Sequence, residues 1–320
     1  MCADDVRHGI VFRKSLGRYS VHADGRVVLC SISNKLRKHL LYPSADPSSV
    51  RSRVVGVEHI KAVDPIAVGD AVSFIDSSDG TGMITKVLPR RTTLSRNAPG
   101  GKGLEQVVAA NVDQIVAVFA AARPAPKWGL LDRHLVSAES SSLPAVICIT
   151  KIDLVEEGFL DEVRVYEQIG YTVVLTSAVV GTGLEESKQA LSGRLSVLVG
   201  KSGVGKTTLL NAIQPDLGLR VAEVSDKTNK GKHTTSHLEM FELDFGGSII
   251  DTPGMREFGV WGVDTKDLVQ LFPEMRRYIG RCRFGASCSH SHEPGCVIKQ
   301  AVEGGEIAQR RYNSYLRLKG

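Results

Sequence analysis

The chain has 320 residues, 42% hydrophobic and 23% charged, with 40 Lys+Arg against 35 Asp+Glu. That is an ordinary globular composition with room for two or three domains. No uncharged apolar run approaches the roughly 18 residues of a spanning helix. The first residues, with Asp4, Asp5, Arg7, Arg13, Lys14 and Arg18, hold no apolar block of signal-peptide length. A protein of the cytoplasm, outside the membrane, is expected.

In chain order, Gly9–Phe12, Arg18–His22, Val27–Ser31, Val54–Ile60, Ala71–Ile75 and Met83–Val87 read as short strands, with hairpin signals at Asp24-Gly25 and Asp79-Gly80. Such strands suit a small barrel, the oligonucleotide-binding barrel being one candidate. Arg90 to Gly103 is basic, polar and glycine-rich, and reads as a linker. Strands are then expected at Gln114–Ala121, Ala145–Thr150, Thr172–Thr176, Leu195–Val199, His237–Leu243 and Ser248–Ile250. Helices are expected at Trp128–Ser140, Glu156–Ile169 and Gly183–Leu191, an alternation that predicts a mainly parallel sheet covered by helices. A further helical stretch runs from about Val297 to Leu318. Residues 1–103 and 273–320 are net basic and residues 104–272 net acidic, so the ends suit a polyanion such as RNA.

Gly200-Lys201-Ser202-Gly203-Val204-Gly205-Lys206-Thr207 matches G-x-x-x-x-G-K-[ST] in full, between the apolar strand Leu195–Val199 and a helix opening at Thr208. Glycines let successive backbone N–H groups converge on phosphate, and the helix N-terminus adds partial positive charge. Lys206 then reaches the β- and γ-phosphates and the Thr207 hydroxyl ligates Mg²⁺. This is a nucleoside triphosphate site.

Thr150-Lys151-Ile152-Asp153 resembles the guanine-reading N-K-x-D motif of GTPases, with Thr150 where Asn is frequent. Asp153 can accept two hydrogen bonds from guanine N1–H and N2–H₂, a donor pair adenine lacks, while the Lys151 stem covers the base. Thr176-Ser177-Ala178 resembles the loop whose alanine N–H reads guanine O6. Asp251-Thr252-Pro253-Gly254 resembles D-x-x-G, with Asp251 on Mg²⁺ through water and the Gly254 N–H on the γ-phosphate. Gly231-Lys232-His233-Thr234-Thr235 lies where switch I belongs, Thr235 being the first choice for the Mg²⁺ threonine and Thr234 the second. The base-reading pair precedes the phosphate loop, the reverse of the usual order, so the domain is circularly permuted.

Cys282-x₅-Cys288-x-His290-x₅-Cys296 offers three thiolates and an imidazole, a set suited to one tetrahedral structural Zn²⁺, with His292 close enough to compete. Around it Arg276, Arg277, Arg281, Arg283, Arg310 and Arg311, with Tyr312 and Tyr315, are candidate RNA contacts, as are Lys35, Arg37 and Lys38 near the other end.

The order T-K-x-D, S-A, G-K-S-G-V-G-K-T, G-K-H-T-T, D-T-P-G and then a Cys/His knuckle resembles the circularly permuted RsgA (YjeQ-type) GTPase family, as does Gln106–Asp113 at the entry to the GTPase domain. The resemblance implies an RNA-binding OB-fold barrel over 1–92, a linker over 93–104, a circularly permuted P-loop GTPase α/β domain over 105–272 and a helical zinc-binding domain over 273–320. It favours His290 as the fourth ligand. It implies a monomer that binds the small (30S) ribosomal subunit and its 16S-type rRNA, turns GTP into GDP and phosphate, and couples hydrolysis to late subunit maturation. A GTP-gated RNA-binding module with incidental hydrolysis is the alternative. Met255 follows D-x-x-G where a water-positioning glutamine is usual, so slow intrinsic turnover is expected, with His233 the candidate catalytic group. Gly203 replaces the Asn of potassium-activated relatives, so no strong potassium requirement is expected.

Overall fold

The computed structural model describes residues 6–15, 17–37, 64–97, 105–155, 158–219, 238–251 and 265–320. They fall into two compact units. One takes the described residues up to Val112 with Leu238–Glu242 and Ile249–Asp251; the other takes the rest from Asp113 onward.

The first unit opens with β1 (Val6–Ser15), β2 (Arg18–Ala23), β3 (Arg26–Ile32) and the single turn α1 (Asn34–Arg37), then β4 (Ala71–Asp76) and β5 (Thr81–Val87). The strand expected at Val54–Ile60 lies outside the described residues. Strand β1 is long enough to serve two partners. Its first half pairs with β4 (Val6↔Ile75 to Ile10↔Ala71), its second half with β2, and a register shift between Val11 and Arg13 bends it between them. Strand β2 pairs with β3, β3 runs parallel to β5, and β5 returns to β4. The ring β1-β2-β3-β5-β4 is therefore closed and leaves no free edge, the OB-like barrel anticipated from the sequence. Alternation along the strands points Val11, Tyr19, Val21, Val28, Cys30, Val72, Phe74 and Ile84 inward. Buried Asp70 sits at the mouth, paired in two places by Arg90 (Nε–Oδ1 and Nη2–Oδ2, both 2.7 Å) and accepting from the Ala67 N–H at 2.8 Å.

The expected linker is partly ordered sheet. Strand β6 (Thr93–Asn97) forms an antiparallel ribbon with β7 (Glu105–Ala110), and Leu94 is fully buried within it. Polarity misleads here because a two-stranded ribbon needs only one buried face; residues 98–104 lie outside the described set.

The second unit alternates as expected: β8 (Gln114–Ala120), α2 (Trp128–Ser140), β9 (Ala145–Thr150), α3 (Phe159–Ile169), β10 (Thr172–Leu175), α4 (Leu184–Leu191), β11 (Leu195–Val199) and α5 (Lys206–Ile213). The strands lie parallel in the order β10-β9-β8-β11. Every residue of β8 is buried, as befits a strand covered on both faces. Its one polar side chain, Gln114, donates to the Ala190 carbonyl (2.7 Å) and Ser196 Oγ (2.9 Å). Strands β12 (Leu238–Glu242) and β13 (Ser248–Asp251) follow in the chain; β12 belongs to the first unit, where it pairs with β1.

Beyond Leu268 come 3-10 turns, α6 (Val297–Glu303) and α7 (Gln309–Lys319). The single helical stretch anticipated there is two helices, interrupted at Gly304-Gly305, with Gly305 in left-handed backbone (φ 78°). Arg311 on α7 is fully buried. It reaches Asp132 of α2 (Nη1–Oδ1 2.6 Å) and Glu274 (Nε–Oε1 2.7 Å), under the ring of Phe272. Burial opposes its charge, and the carboxylates of Asp132 and Glu274 more than offset that, holding the guanidinium above its ordinary pKa. Tyr312 and Tyr315 are buried too, donating to the carbonyls of His290 (2.7 Å) and Ser289 (2.9 Å). Arg311, Tyr312 and Tyr315 are thus structural groups, not RNA contacts, because all three are buried and committed to partners inside the protein. Arg311→Met strips two buried carboxylates of their cation, and urea unfolding should show a loss of about 3–5 kcal/mol. A loss below about 1 kcal/mol would mean the clamp is not what fixes α7.

Candidate functional site

The three described nucleotide motifs leave the carboxyl ends of strands in the one parallel sheet: T-K-x-D after β9, T-S-A after β10 and the phosphate loop after β11. This is where open α/β sheets bind ligands, because loops there converge and helix N-termini point inward. The loop turns on Gly200, at φ 153°; a Cβ there would stand 2.3 Å from the Val118 carbonyl oxygen, so only glycine lets the chain leave β11 this close to β8. Gly205 caps α5, placing Lys206 and Thr207 at its first positions. Lys206 Nζ donates back to the carbonyls of Gly200 (2.7 Å) and Lys201 (3.1 Å), which holds its charge at the loop mouth.

The T-K-x-D segment is tied to that loop. The Thr150 hydroxyl donates to the Val204 carbonyl and lies 3.2 Å from the Phe119 carbonyl at the end of β8. Thr150 therefore supplies the bracing that an Asn often gives at this position. Lys151, in left-handed backbone at φ 58°, donates to the carbonyls of Gly203 (2.9 Å) and Arg123. Burial lowers its pKa, an effect that Asp153 opposes. Asp153 lies in the 3-10 turn Ile152–Leu154 and accepts from the Ser177 hydroxyl, which orients its carboxylate; Ala178 follows, half-buried.

Sequence reasoning missed Arg123, whose carbonyl receives Lys151, and Gly183, where a Cβ would stand 1.9 Å from the Leu175 carbonyl oxygen. The glycines of Gly181-Thr182-Gly183 were a visible signal for the second; nothing marked Arg123. His134, buried on α2, is pushed down to about 3 by burial, with Arg133 and Lys206 adding to it, so it stays neutral at physiological pH. Asp251 closes β13. His233, Thr234, Thr235 and Gly254 lie outside the described residues.

The four Cys/His candidates come together. The ligand atoms of Cys282, Cys288, His290 and Cys296 all lie within 4.8 Å of one another, and all four residues are buried. Cys282 Sγ and Cys296 Sγ are 3.9 Å apart and each is 3.5 Å from His290 Nδ1. A tetrahedron with Zn–S about 2.3 Å and Zn–N about 2.0–2.1 Å has edges of about 3.8 and 3.5 Å, so the donor set fits zinc. Glu293 braces the knuckle by accepting from the N–H groups of Ser289 (2.7 Å) and Ser291 (3.1 Å). His292 is exposed and bonded to Ser291 Oγ (3.1 Å), apart from the cluster.

Parallel strands with the phosphate-loop and guanine-type motifs at their carboxyl ends, in this chain order, define a circularly permuted GTPase. The RsgA GTPase family profile matches residues 87–261. The small ribosomal subunit biogenesis GTPase RsgA of Gemmatimonas aurantiaca is 45% identical over 261 residues, 79% of this chain and 83% of that one. The crystal structure of YjeQ from Thermotoga maritima superposes with a TM-score of 0.72 at 33% identity, covering 98% of this chain and 97% of that one. That of YloQ, a circularly permuted GTPase, gives 0.68 at 28% identity, over 100% and 96%. The chain belongs to the RsgA GTPase family.

Thr150→Val keeps the shape and removes the hydroxyl, leaving the Val204 carbonyl without its donor. Stability should fall by about 1–3 kcal/mol and GTP binding should weaken, as read by urea unfolding and nucleotide titration. Unchanged GTP affinity would show that the two loops hold their geometry independently. For the knuckle, atomic absorption should find one zinc per chain, and stripping it with a chelator should lower the thermal midpoint, since the three cysteines are part of the core that packs α6 and α7. A metal-free protein that melts at the same temperature would remove the site.

Proposed function

We propose that this protein is a GTPase of small-ribosomal-subunit biogenesis, which binds the 30S subunit and its 16S-type rRNA and couples GTP hydrolysis to late maturation. The observation that carries this reading is the fixing of Thr150 and Lys151 onto the phosphate loop, with Asp153 oriented by Ser177 beside it. The names of the relatives supply the ribosomal assignment.

In this reading Asp153 accepts from guanine N1–H and N2–H₂, the Ala178 N–H meets O6 and the Lys151 stem covers the ring. The N–H groups of Gly200 to Thr208 surround the phosphates, and Lys206 swings from the Gly200 carbonyl onto the β- and γ-oxygens. Thr207, with Thr235 and Asp251, would hold Mg²⁺, whose charge offsets that developing on the phosphates. The Gly254 N–H senses the γ-phosphate, Thr234 flanks the switch threonine, and His233 orients the attacking water in place of a glutamine. Cys282, Cys288, His290 and Cys296 hold a structural zinc. The barrel (1–92) and the zinc segment (273–320), which flank the GTPase domain (105–272) in the sequence, contact rRNA. The protein acts as a monomer in the cytoplasm; among the described residues no helix is long and apolar enough to cross a membrane.

The test is GTP turnover by the purified protein, alone and with small or large ribosomal subunits. Slow intrinsic turnover, raised at least about tenfold by the small subunit alone and lost in His233→Ala with GTP affinity unchanged, is the expected result. Tight subunit binding without acceleration would favour the GTP-gated binder, and acceleration by neither subunit would remove the ribosomal assignment.

A further inference from the structure

A pocket of ≈ 760 Å³ opens between the start of α2, Lys201 of the phosphate loop and α7. Its lining carries Lys127, Arg133, Lys201, Arg310 and Arg317 and no carboxylate. Arg310 is already committed: it pairs with Glu162, lies 4.5 Å over the Trp128 ring and donates to the Tyr166 hydroxyl at 2.8 Å. The other four make no ion pair among the described residues, in a protein where Arg90, Arg276, Arg277 and Arg311 all do. Arg133 goes further, its Nε being buried with no hydrogen-bond partner among the described residues.

The backbone adds to the same field. Helix α2 begins here with no side-chain cap and no acid in its first turn, whereas α3 carries Asp161 and Glu162 and α4 carries Glu185 and Glu186 at that place. Its positive end is therefore uncompensated by the chain itself. Four unpaired cations and a helix N-terminus repel one another unless a ligand brings negative charge. The lining contains no carboxylate or carboxamide that could read a base edge. Its chemistry suits phosphate, and its size exceeds what a single phosphate fills.

We propose that this pocket binds the sugar–phosphate backbone of a single-stranded RNA segment, with Lys127, Arg133 and Arg317 neutralising its phosphates beside Lys201. Recognition is sequence-independent, since the contacts go to phosphate and not to bases. The choice of RNA rests on the ribosomal reading; the phosphate chemistry does not. Because Lys201 belongs to both sites, strand and nucleotide meet at adjacent residues, which gives bound RNA a direct route to the phosphate loop.

The test is fluorescence anisotropy of a labelled single-stranded RNA of about 20 nucleotides on the full chain with a non-hydrolysable GTP analogue, from about 50 to about 200 mM salt. Lys127→Gln/Arg133→Gln/Arg317→Gln should weaken binding roughly tenfold or more and reduce the slope of log K against log[salt] by about 2. The exposed pair Lys127→Gln/Arg317→Gln should reduce it by about 1.4, and is the variant read if the triple loses GTP affinity through misfolding. An unchanged slope in the pair overturns the proposal. So does a second equivalent of GTP in calorimetry that disappears in the pair while RNA binding stays intact, which would make this a nucleotide pocket. Turnover with small subunits separates the two claims: stimulation intact with no slope effect removes the pocket alone. A slope effect without stimulation of the wild type removes the ribosomal reading and leaves the phosphate site.

Discussion

Guanine recognition and phosphate binding are chemically separate tasks, and here the segments proposed for them share a mechanical joint. The buried Thr150 hydroxyl meets the Val204 carbonyl, and the Lys151 ammonium meets the Gly203 carbonyl, so the loop proposed to read the base is hydrogen-bonded to the loop proposed to cradle phosphate. Parallel pairing of β9, β8 and β11 brings the loops to one edge, and the close approach of Gly200 to β8 sets their depth. This explains how a permuted chain keeps an intact site. The joint is made across the end of β8, which lies between β9 and β11 in the sheet, and it does not depend on which of the two the chain reaches first.

A second constraint fixes the C-terminal segment. Arg311 is fully buried between Asp132 and Glu274, an arrangement stable only while all three charges are present. Helix α7 is thereby held against α2, whose first turn borders Lys201 of the phosphate loop in the basic pocket. Beside it, the Tyr312 and Tyr315 hydroxyls hold the backbone of the Cys/His knuckle. The Cys/His cluster, ionic clamp and basic pocket belong to one packed unit, so a change in the knuckle has a physical path to the phosphate loop.

The legible parts of this protein were those with short-range signatures. The phosphate loop, T-K-x-D, T-S-A and the cysteine spacing each lie within a few residues, and strands such as Gln114–Ala120 are marked by continuous apolar runs. The barrel was visible as alternating strands, but its closure was not, since closure depends on the parallel pairing of β3 with β5, far apart in the chain. Thr93–Asn97 reads as linker because its polar residues hide a single buried leucine. Arg311 and Arg310 are adjacent and look alike in sequence. One is buried in a clamp and the other stacks over Trp128, a difference set by the 100° turn between successive helical positions. The basic pocket is assembled from α2, the phosphate loop and α7, and no local pattern announces it.

The central claim is that the joined loops read the state of a guanine nucleotide and that this state governs engagement of the small subunit. The most direct measurement is the affinity of the full chain for purified small ribosomal subunits, with the non-hydrolysable GTP analogue and with GDP, at one fixed salt concentration. Binding tighter by about tenfold or more with the analogue, a difference of about 1.4 kcal/mol, is what the account predicts. Equal affinity in the two states would contradict it, because a ligand that favours neither state shifts no equilibrium.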